Sequence, residues 1–372
     1  MLEIISLRSA PPPEAFRLPD VEGREYLPSA YLGIDPATRG RVATTRPRNV
    51  FIEVTNHCNL LCETCPRTFV TYEAAQTLSW DNFCRIVEQF PDMERAVLHG
   101  IGEPLINRDL PRMIACLKAR GVTVLFNTNA TLLDEDWSRR LIAAGLDELR
   151  VSIDGADPRT YARIRGAPLF HKLVSNLRRF VEIQTQVGAA SPHVSLWMTG
   201  MRENIAELPD VVRLAARIGV PEVYLQRMVY YANALHAPGL LDAGHGLFGS
   251  FDAEVERIVA ESEALAGTLG IALRAAGATT PQRSIKGSTQ PRPWAGCMRP
   301  WTTAYITANG NALPCCISPF ATTDYESLKL GNIFEQPFDD VWNAERYQEW
   351  RGRLLSEDPH PACASCGVHW SL

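Results

Sequence analysis

Hydrophobic and polar positions along the chain follow two rhythms. After an irregular stretch over residues 1 to 48, broken by Pro11-Pro12-Pro13, Pro28, Pro36 and Pro47 and read as an arm or lid, β-rich runs alternate with helical patterns. Val50-Phe51-Ile52-Glu53-Val54 predicts a first strand. Ser79 then caps a helix with Phe83, Val87 and Phe90 on one face, and Ala96-Val97-Leu98-His99 predicts a second strand. Leu110, Met113, Ile114 and Leu117 mark the next helix, closed by Gly121, before the third strand, Val122 to Phe126. Asp134 caps a helix that Gly145 ends. Leu149 to Ile153, Val194 to Met198 and Glu222 to Leu225 predict strands four to six, each preceded by a helical stretch. Asp252 to Leu269 reads as a further helix, with strand-like Ile271-Ala272-Leu273 after it. Such βα alternation predicts an α/β fold with a parallel sheet, either open or curled into an incomplete barrel, and ligands at the C-terminal strand ends.

The rhythm stops at residues 278 to 293, rich in Thr, Ser, Gln and Pro and read as a linker. It separates a barrel-like region over 49 to 277 from a small segment over 294 to 372 that holds five of the ten cysteines. With 46% hydrophobic and 21% charged residues and a formal charge of -5, the chain is neither a disordered nor a nucleic-acid-binding composition. No apolar run approaches the ~18 residues of a membrane span, and the N-terminus has no export signal, so the expected location is cytoplasmic. There, thiols serve metals or chemistry more often than disulfides.

Directly after the first strand stands Cys58-Asn59-Leu60-Leu61-Cys62-Glu63-Thr64-Cys65. Three thiolates this close together wrap one compact centre. A structural zinc site wants four closed ligands, and beside this loop only His57 offers a fourth. A cubane iron-sulfur cluster on three thiolates keeps one iron open.

This loop resembles the signature of the radical S-adenosylmethionine (SAM) enzymes. The resemblance implies a partial (β/α)6 TIM-like barrel in which Cys58, Cys62 and Cys65 hold a 4Fe-4S cluster. SAM chelates the fourth iron and is cleaved to a 5′-deoxyadenosyl radical, with the electron coming from a donor such as flavodoxin or ferredoxin. His99-Gly100-Ile101-Gly102-Glu103-Pro104 is similar to the family's Gly-Gly-Glu-Pro turn for the SAM amino group, with Ile101 replacing one glycine. Gly100, Gly102, Glu103 and Pro104 are the implied contacts. Asn127-Thr128-Asn129-Ala130 resembles Thr-Asn-Gly with Ala130 for the glycine, so Asn129 joins the SAM set, and Ser152 matches the serine that meets the SAM ribose.

The C-terminal segment resembles the SPASM or twitch extension, which carries auxiliary 4Fe-4S clusters. Cys297, then Gly310, Cys315 and Cys316, and Cys363-x2-Cys366 fit its pattern. Full SPASM segments have further cysteines after the Cys-x2-Cys pair, whereas this sequence stops six residues later, so one auxiliary cluster on Cys297, Cys315, Cys363 and Cys366 is expected. A four-cysteine zinc ribbon is the structural alternative. Cys84 and Cys116 fall inside amphipathic helices and read as small apolar residues.

An auxiliary cluster with four protein ligands favours net oxidation, and residues 1 to 48 read as too short and irregular for a separate peptide-binding domain, so the expected activity is dehydrogenation of a small natural-product or sugar-like substrate. Peptide modification is an alternative. A third is epimerisation, with Cys316 returning a hydrogen atom, although Cys316 is expected merely to pack. Gln226 and Arg227, at the end of the sixth strand, are candidate substrate contacts. His236 and His245 have no second ligand at recognisable spacing. A non-catalytic iron-sulfur or zinc scaffold is the remaining class, and it would have no use for Glu103, Ser152 and an open cluster together. No nucleic-acid or membrane partner is expected.

Overall fold

The computed structural model describes residues 39–229, 241–247, 252–275, 297–364 and 366, with positions 281, 292 and 294. His236, residues 1–38 and nearly all of 278–293 therefore lie outside the described residues.

Ten strands form one sheet. In chain order β1 is Asn49–Ile52, β2 Arg95–Val97, β3 Thr123–Thr128, β4 Glu148–Ser152, β5 His193–Gly200, β6 Glu222–Arg227 and β7 Ala272–Ala275. These seven run parallel in sequence order, joined by crossovers that return the chain to the same end of the sheet. Between them lie α1 Trp80–Glu88, α2 Leu110–Lys118, α3 Glu135–Ala143, α4 Pro158–Arg165, α5 Phe170–Gln186, α6 Leu208–Ile218 and α7 Ala253–Leu269. The expected caps are made: the side chains of Ser79, Asp134 and Asp252 accept from Asn82, Trp137 and Val255 N–H groups. The stretch before β5 is two helices rather than one, because Gly166 takes a left-handed φ of 73° and ends α4.

The C-terminal segment adds α8 Arg299–Thr302, β8 Thr303–Ile306, β9 Asn311–Leu313, β10 Gly331–Asn332, α9 Phe338–Trp342, α10 Glu345–Leu354 and α11 Pro361–Ala364. It does not form a sheet of its own. Strand β8 pairs parallel with β1, Asn49 opposite Thr303 through Ile52 opposite Ile306, so the sheet runs unbroken from β10 to β7.

Burial along the strands separates two faces. In β4, Leu149 and Val151 are fully buried towards the helices, whereas Glu148, Arg150 and Ser152 take the alternate, inner positions. The apolar core therefore lies between sheet and helices, and the inside of the curled sheet is left polar and hollow. No helix among the described residues is long and apolar enough to cross a membrane.

Candidate active site

A cavity of about 280 Å³ opens inside the sheet. Its wall brings together Cys58, Cys62 and Cys65 from the loop after β1, and Gly100, Gly102 and Glu103 from the turn after β2. Asn129, Ser152, Gln226 and Arg227 come from the ends of β3, β4 and β6. Residues separated by up to 169 positions in sequence thus share one hollow, at the strand ends where the βα pattern places ligands.

The cysteine loop is fixed at its base by Asn56, whose side chain donates to the Ala74 carbonyl at 2.8 Å and accepts from Gln76 N–H at 2.7 Å. Each thiol then meets a different neighbouring loop. Cys62 Sγ lies 3.6 Å from the Arg165 carbonyl, Cys65 Sγ 3.9 Å from the Ile101 carbonyl, and Asn129 Nδ2 lies 4.0 Å from Cys58 Sγ. Burial raises all three thiol pKa values, that of Cys65 to about 12 with the neighbouring thiols adding to the effect. None of the three is in a disulfide. Three thiols on one loop, Cys62 buried and Cys58 and Cys65 half-buried, that resist losing their protons need a cationic centre to become thiolates, and an iron cluster supplies one, so the donor set fits that group. No three His, Cys, Asp or Glu side chains among the described residues close on a single-ion site.

The turn after β2 approaches the cysteine loop at backbone distance. A Cβ on Gly102 would stand 2.2 Å from the Thr55 carbonyl oxygen, and one on Gly100 would stand 2.0 Å from Glu53 Oε2, so neither position admits a side chain. Glu103 N–H donates to the His57 carbonyl at 2.8 Å. The buried Glu103 carboxylate accepts from Leu105 N–H at 3.1 Å, Thr128 Oγ1 at 2.7 Å and Asn129 N–H at 2.8 Å. Three donors leave room for one more on the cavity side, which suits an ammonium. Pro104 does not line the cavity; it opens the short 3-10 turn Pro104–Ile106 that Glu103 caps. Asn129 works through the loop, donating to Asn59 Oδ1 at 2.9 Å and accepting from Thr131. Ala130, standing for the family's glycine, has a left-handed φ of 54°.

Further positions around the cavity, two of them inside the quoted motifs, were not singled out from the sequence. Glu53, at the end of β1, is buried and accepts from Ile101 N–H at 2.9 Å, Tyr305 Oη at 3.2 Å and Ala308 N–H at 3.3 Å. Burial pushes its pKa up to about 7. It ties the turn after β2 to the C-terminal segment. His99 lines the cavity, and its Nδ1 accepts from Asn127 N–H at 3.2 Å, which fixes the tautomer with the proton on Nε2. Burial, with Arg150 and Arg95 nearby, drops its pKa to about 3, so it is neutral. Asn127 Oδ1 is buried without a hydrogen-bond partner in the same wall, an acceptor awaiting a ligand's donor. Arg165 is paired with Asp154 at 2.9 Å.

The C-terminal segment closes the cavity with Arg299, Tyr305, Cys316, Ile317 and Phe320. Behind this wall burial raises the pKa of Cys315 and of Cys363. Each thiol also feels Cys297 and Cys366, and Cys315 feels Cys316 more than either, which places all five cysteines of the segment in one electrostatic neighbourhood. Cys316 does not simply pack: it rests against the core yet lines the cavity. His245 lies elsewhere, its Nδ1 2.6 Å from Glu203 Oε1. Cys84 and Cys116 pack against the core as expected.

Residues 52–215 match the model of the radical SAM superfamily, and residues 297–367 match the SPASM iron-sulfur cluster-binding domain. The chain is 22% identical over 330 residues to the tungsten-containing aldehyde ferredoxin oxidoreductase cofactor-modifying protein of Pyrococcus furiosus, spanning 86% of this chain and 87% of that protein. It is 25% identical over 331 residues to the PqqA peptide cyclase of Granulibacter bethesdensis, spanning 87% and 81%. Among solved structures, Streptococcus suis SuiB bound to precursor peptide SuiA matches with a TM-score of 0.64 at 17% identity, over 88% of this chain and 71% of that one. The anSMEcpe structure with bound AdoMet matches at 0.60 and 13%, over 87% and 94%. At these identities the structural likeness speaks for the fold.

Proposed function

We propose that this radical SAM protein, built from a SAM-binding barrel and a SPASM extension, modifies a peptide. The observation that carries the reading is the similarity to peptide cyclases along 87% of the chain, through barrel and extension alike. A small sugar-like substrate, expected from the shortness of residues 1 to 48, has no comparable support.

When bound, cluster and SAM supply a carbon radical that takes hydrogen from an unactivated C–H bond. The chain's own residues hold the parts in place. Cys58, Cys62 and Cys65 ligate the open cluster, Glu103 receives the SAM amino group, and Ser152 and Asn127 offer polar contacts to the remainder of the cofactor. Cys297, Cys315, Cys363 and Cys366 hold one auxiliary cluster behind the wall, and Gln226 and Arg227 face the substrate. Tyr305, Ile317 and Phe320 shield the cavity from bulk water, which protects a reactive carbon from side reactions.

The test uses anaerobically reconstituted, reduced protein with SAM and two perdeuterated pools, one of peptides and one of sugars and polyols. Deuterium appearing in 5′-deoxyadenosine from the peptide pool is the expected result. Label arriving from the sugar pool alone replaces the peptide reading with the small-molecule one.

One observation favours a second outcome for the same site. Cys316 lines the cavity, so its S–H bond stands where a substrate radical forms. Under an epimerase reading, Cys316→Ser yields uncoupled 5′-deoxyadenosine, and product made in heavy water carries deuterium at the reacting carbon. Retained turnover without solvent deuterium leaves the oxidative peptide reading in place.

A further inference from the structure

Two cysteines, Cys84 and Cys116, belong neither to the loop after β1 nor to the C-terminal group, and the helices that carry them lie side by side. Helix α1 leads from the cysteine loop to β2, and α2 leads from the turn after β2 to β3, so both cross between parallel strands and run in the same direction. Contacts join them level by level. Just ahead of the helices, Asn107 Nδ2 donates to the Leu78 carbonyl at 3.0 Å. In the first turns the Arg112 guanidinium lies 3.7 Å from the Trp80 ring centroid. At the far end Arg120 Nη1 donates to the Val87 carbonyl at 3.4 Å.

Cys84 stands one turn on from Trp80, and Cys116 one turn on from Arg112. Parallel helices that touch at 80 and 112 and again at 87 and 120 bring positions 84 and 116 to one level between those contacts, on the sides that face each other. The two thiols sense one another accordingly. Burial is the main cause that raises the Cys84 pKa, and Cys116 comes next, ahead of Glu88, Arg112 and Asp81. Both thiols are free and half-buried, so they rest against the core and remain within reach of a small reagent.

We propose that Cys84 and Cys116 are a dithiol site that exchanges with a small disulfide of the glutathione type and closes to an intramolecular disulfide between α1 and α2. In the first step one protein thiolate attacks a sulfur of glutathione disulfide, the S–S bond breaks, and one glutathione thiolate leaves. In the second, the other protein thiolate attacks the mixed disulfide, which forms the bond between Cys84 and Cys116 and expels the second glutathione. Two protein thiols are oxidised and one glutathione disulfide is reduced to two thiols, so protons and electrons balance. The new bond fastens the helix that follows the cysteine loop to the helix that follows the SAM turn. It stands apart from the peptide reading, since neither thiol lines the cavity.

The experiment maps thiols rather than turnover. Reconstituted full-length protein is exposed anaerobically to glutathione disulfide, free thiols are alkylated, and unreduced tryptic fragments are identified by mass spectrometry. Cys84 lies in fragment 68–85 and Cys116 in fragment 113–118, each the only cysteine there. The two fragments should appear joined, roughly tenfold more abundant than the form with glutathione on each, because the second step is intramolecular. Dithiothreitol should return both cysteines to the alkylated form. Cys84→Ser and Cys116→Ser should each lose the joined species and carry at most one glutathione on the remaining thiol. Both fragments recovered alkylated and unlinked, as simple fillers of the core would be, overturn the proposal. So does glutathione on each cysteine with no bond between them, or a bond from either one to a different cysteine in preference.

Discussion

Replacing Glu53 by Gln tests whether one buried carboxylate fastens the SAM-binding turn to the C-terminal segment. In the native protein Oε2 accepts from Ile101 N–H and Tyr305 Oη, and Oε1 accepts from Ala308 N–H. Glutamine keeps the shape, but one end becomes a donor facing a donor. Leaving one such buried group unsatisfied costs about 1–3 kcal/mol. The carboxylate carries its own pH signature. Burial raises the folded pKa from 4.5 to about 7, so between those values the folded state holds a proton that the unfolded state has lost. Stability from this group is full below pH 4.5 and is lost as pH rises through 7. Linkage puts the loss between pH 6 and pH 8 at about 1 kcal/mol. Glu53→Gln cannot titrate and lacks that slope. Urea denaturation of metal-free wild type and variant, followed by circular dichroism at pH 6, 7 and 8, should show the variant less stable at pH 6 and the gap narrowing by about 1 kcal/mol at pH 8. Parallel pH profiles, or a variant as stable as wild type at pH 6, would refute the reasoning. The SAM dissociation constant of the reconstituted variant should also rise, since Ile101 loses its anchor.

Changing Cys58, Cys62 and Cys65 together to Ala should abolish 5′-deoxyadenosine formation and leave the auxiliary cluster's visible absorbance. Reconstituted wild type should bind about eight irons, and a Cys297→Ala, Cys363→Ala double variant about four, by iron and sulfide analysis. Ala130→Gly should stabilise the chain by about 0.5–1 kcal/mol in the same denaturation assay. Relief of the left-handed strain at φ 54° outweighs glycine's extra chain entropy there.

The parallel strands, their caps and the cysteine loop were legible because each leaves a local trace: a run of β-rich residues, a capping side chain, a fixed spacing. In β4 the alternation of Arg150 and Ser152 with Leu149, Val151 and Ile153 already carries the polar inner face, since a strand packed on both sides would be apolar throughout. The same signal at Trp197, Tyr224 and Gln226 would have outlined half the cavity. Arg95 left no such trace. Its place in the cavity wall comes from neighbours distant in sequence. Glu53 was a sharper clue, an acid within an apolar strand, but its partners Tyr305 and Ala308 lie about 250 positions away and no periodicity announces them. The continuation of the sheet from β1 into β8 was hidden for the same reason.

That continuation governs how the protein comes to be folded. Strand β1 is buried along its whole length, and among the described residues one of its edges is covered only by β8, so contacts such as Glu53 to Tyr305 close a loop of 252 positions. During synthesis the remaining parallel strands can assemble as they emerge, while the outer edge of Asn49–Ile52 waits, bare and apolar, for nearly the entire chain. Closing so long a loop is slow, and an exposed strand edge recruits other chains in the meantime. A chain truncated before Thr303 would therefore be lost to aggregation rather than yield an isolated barrel, and co-expressed chaperones should raise the yield of the intact protein more than they would for a barrel that closes on its own first strand.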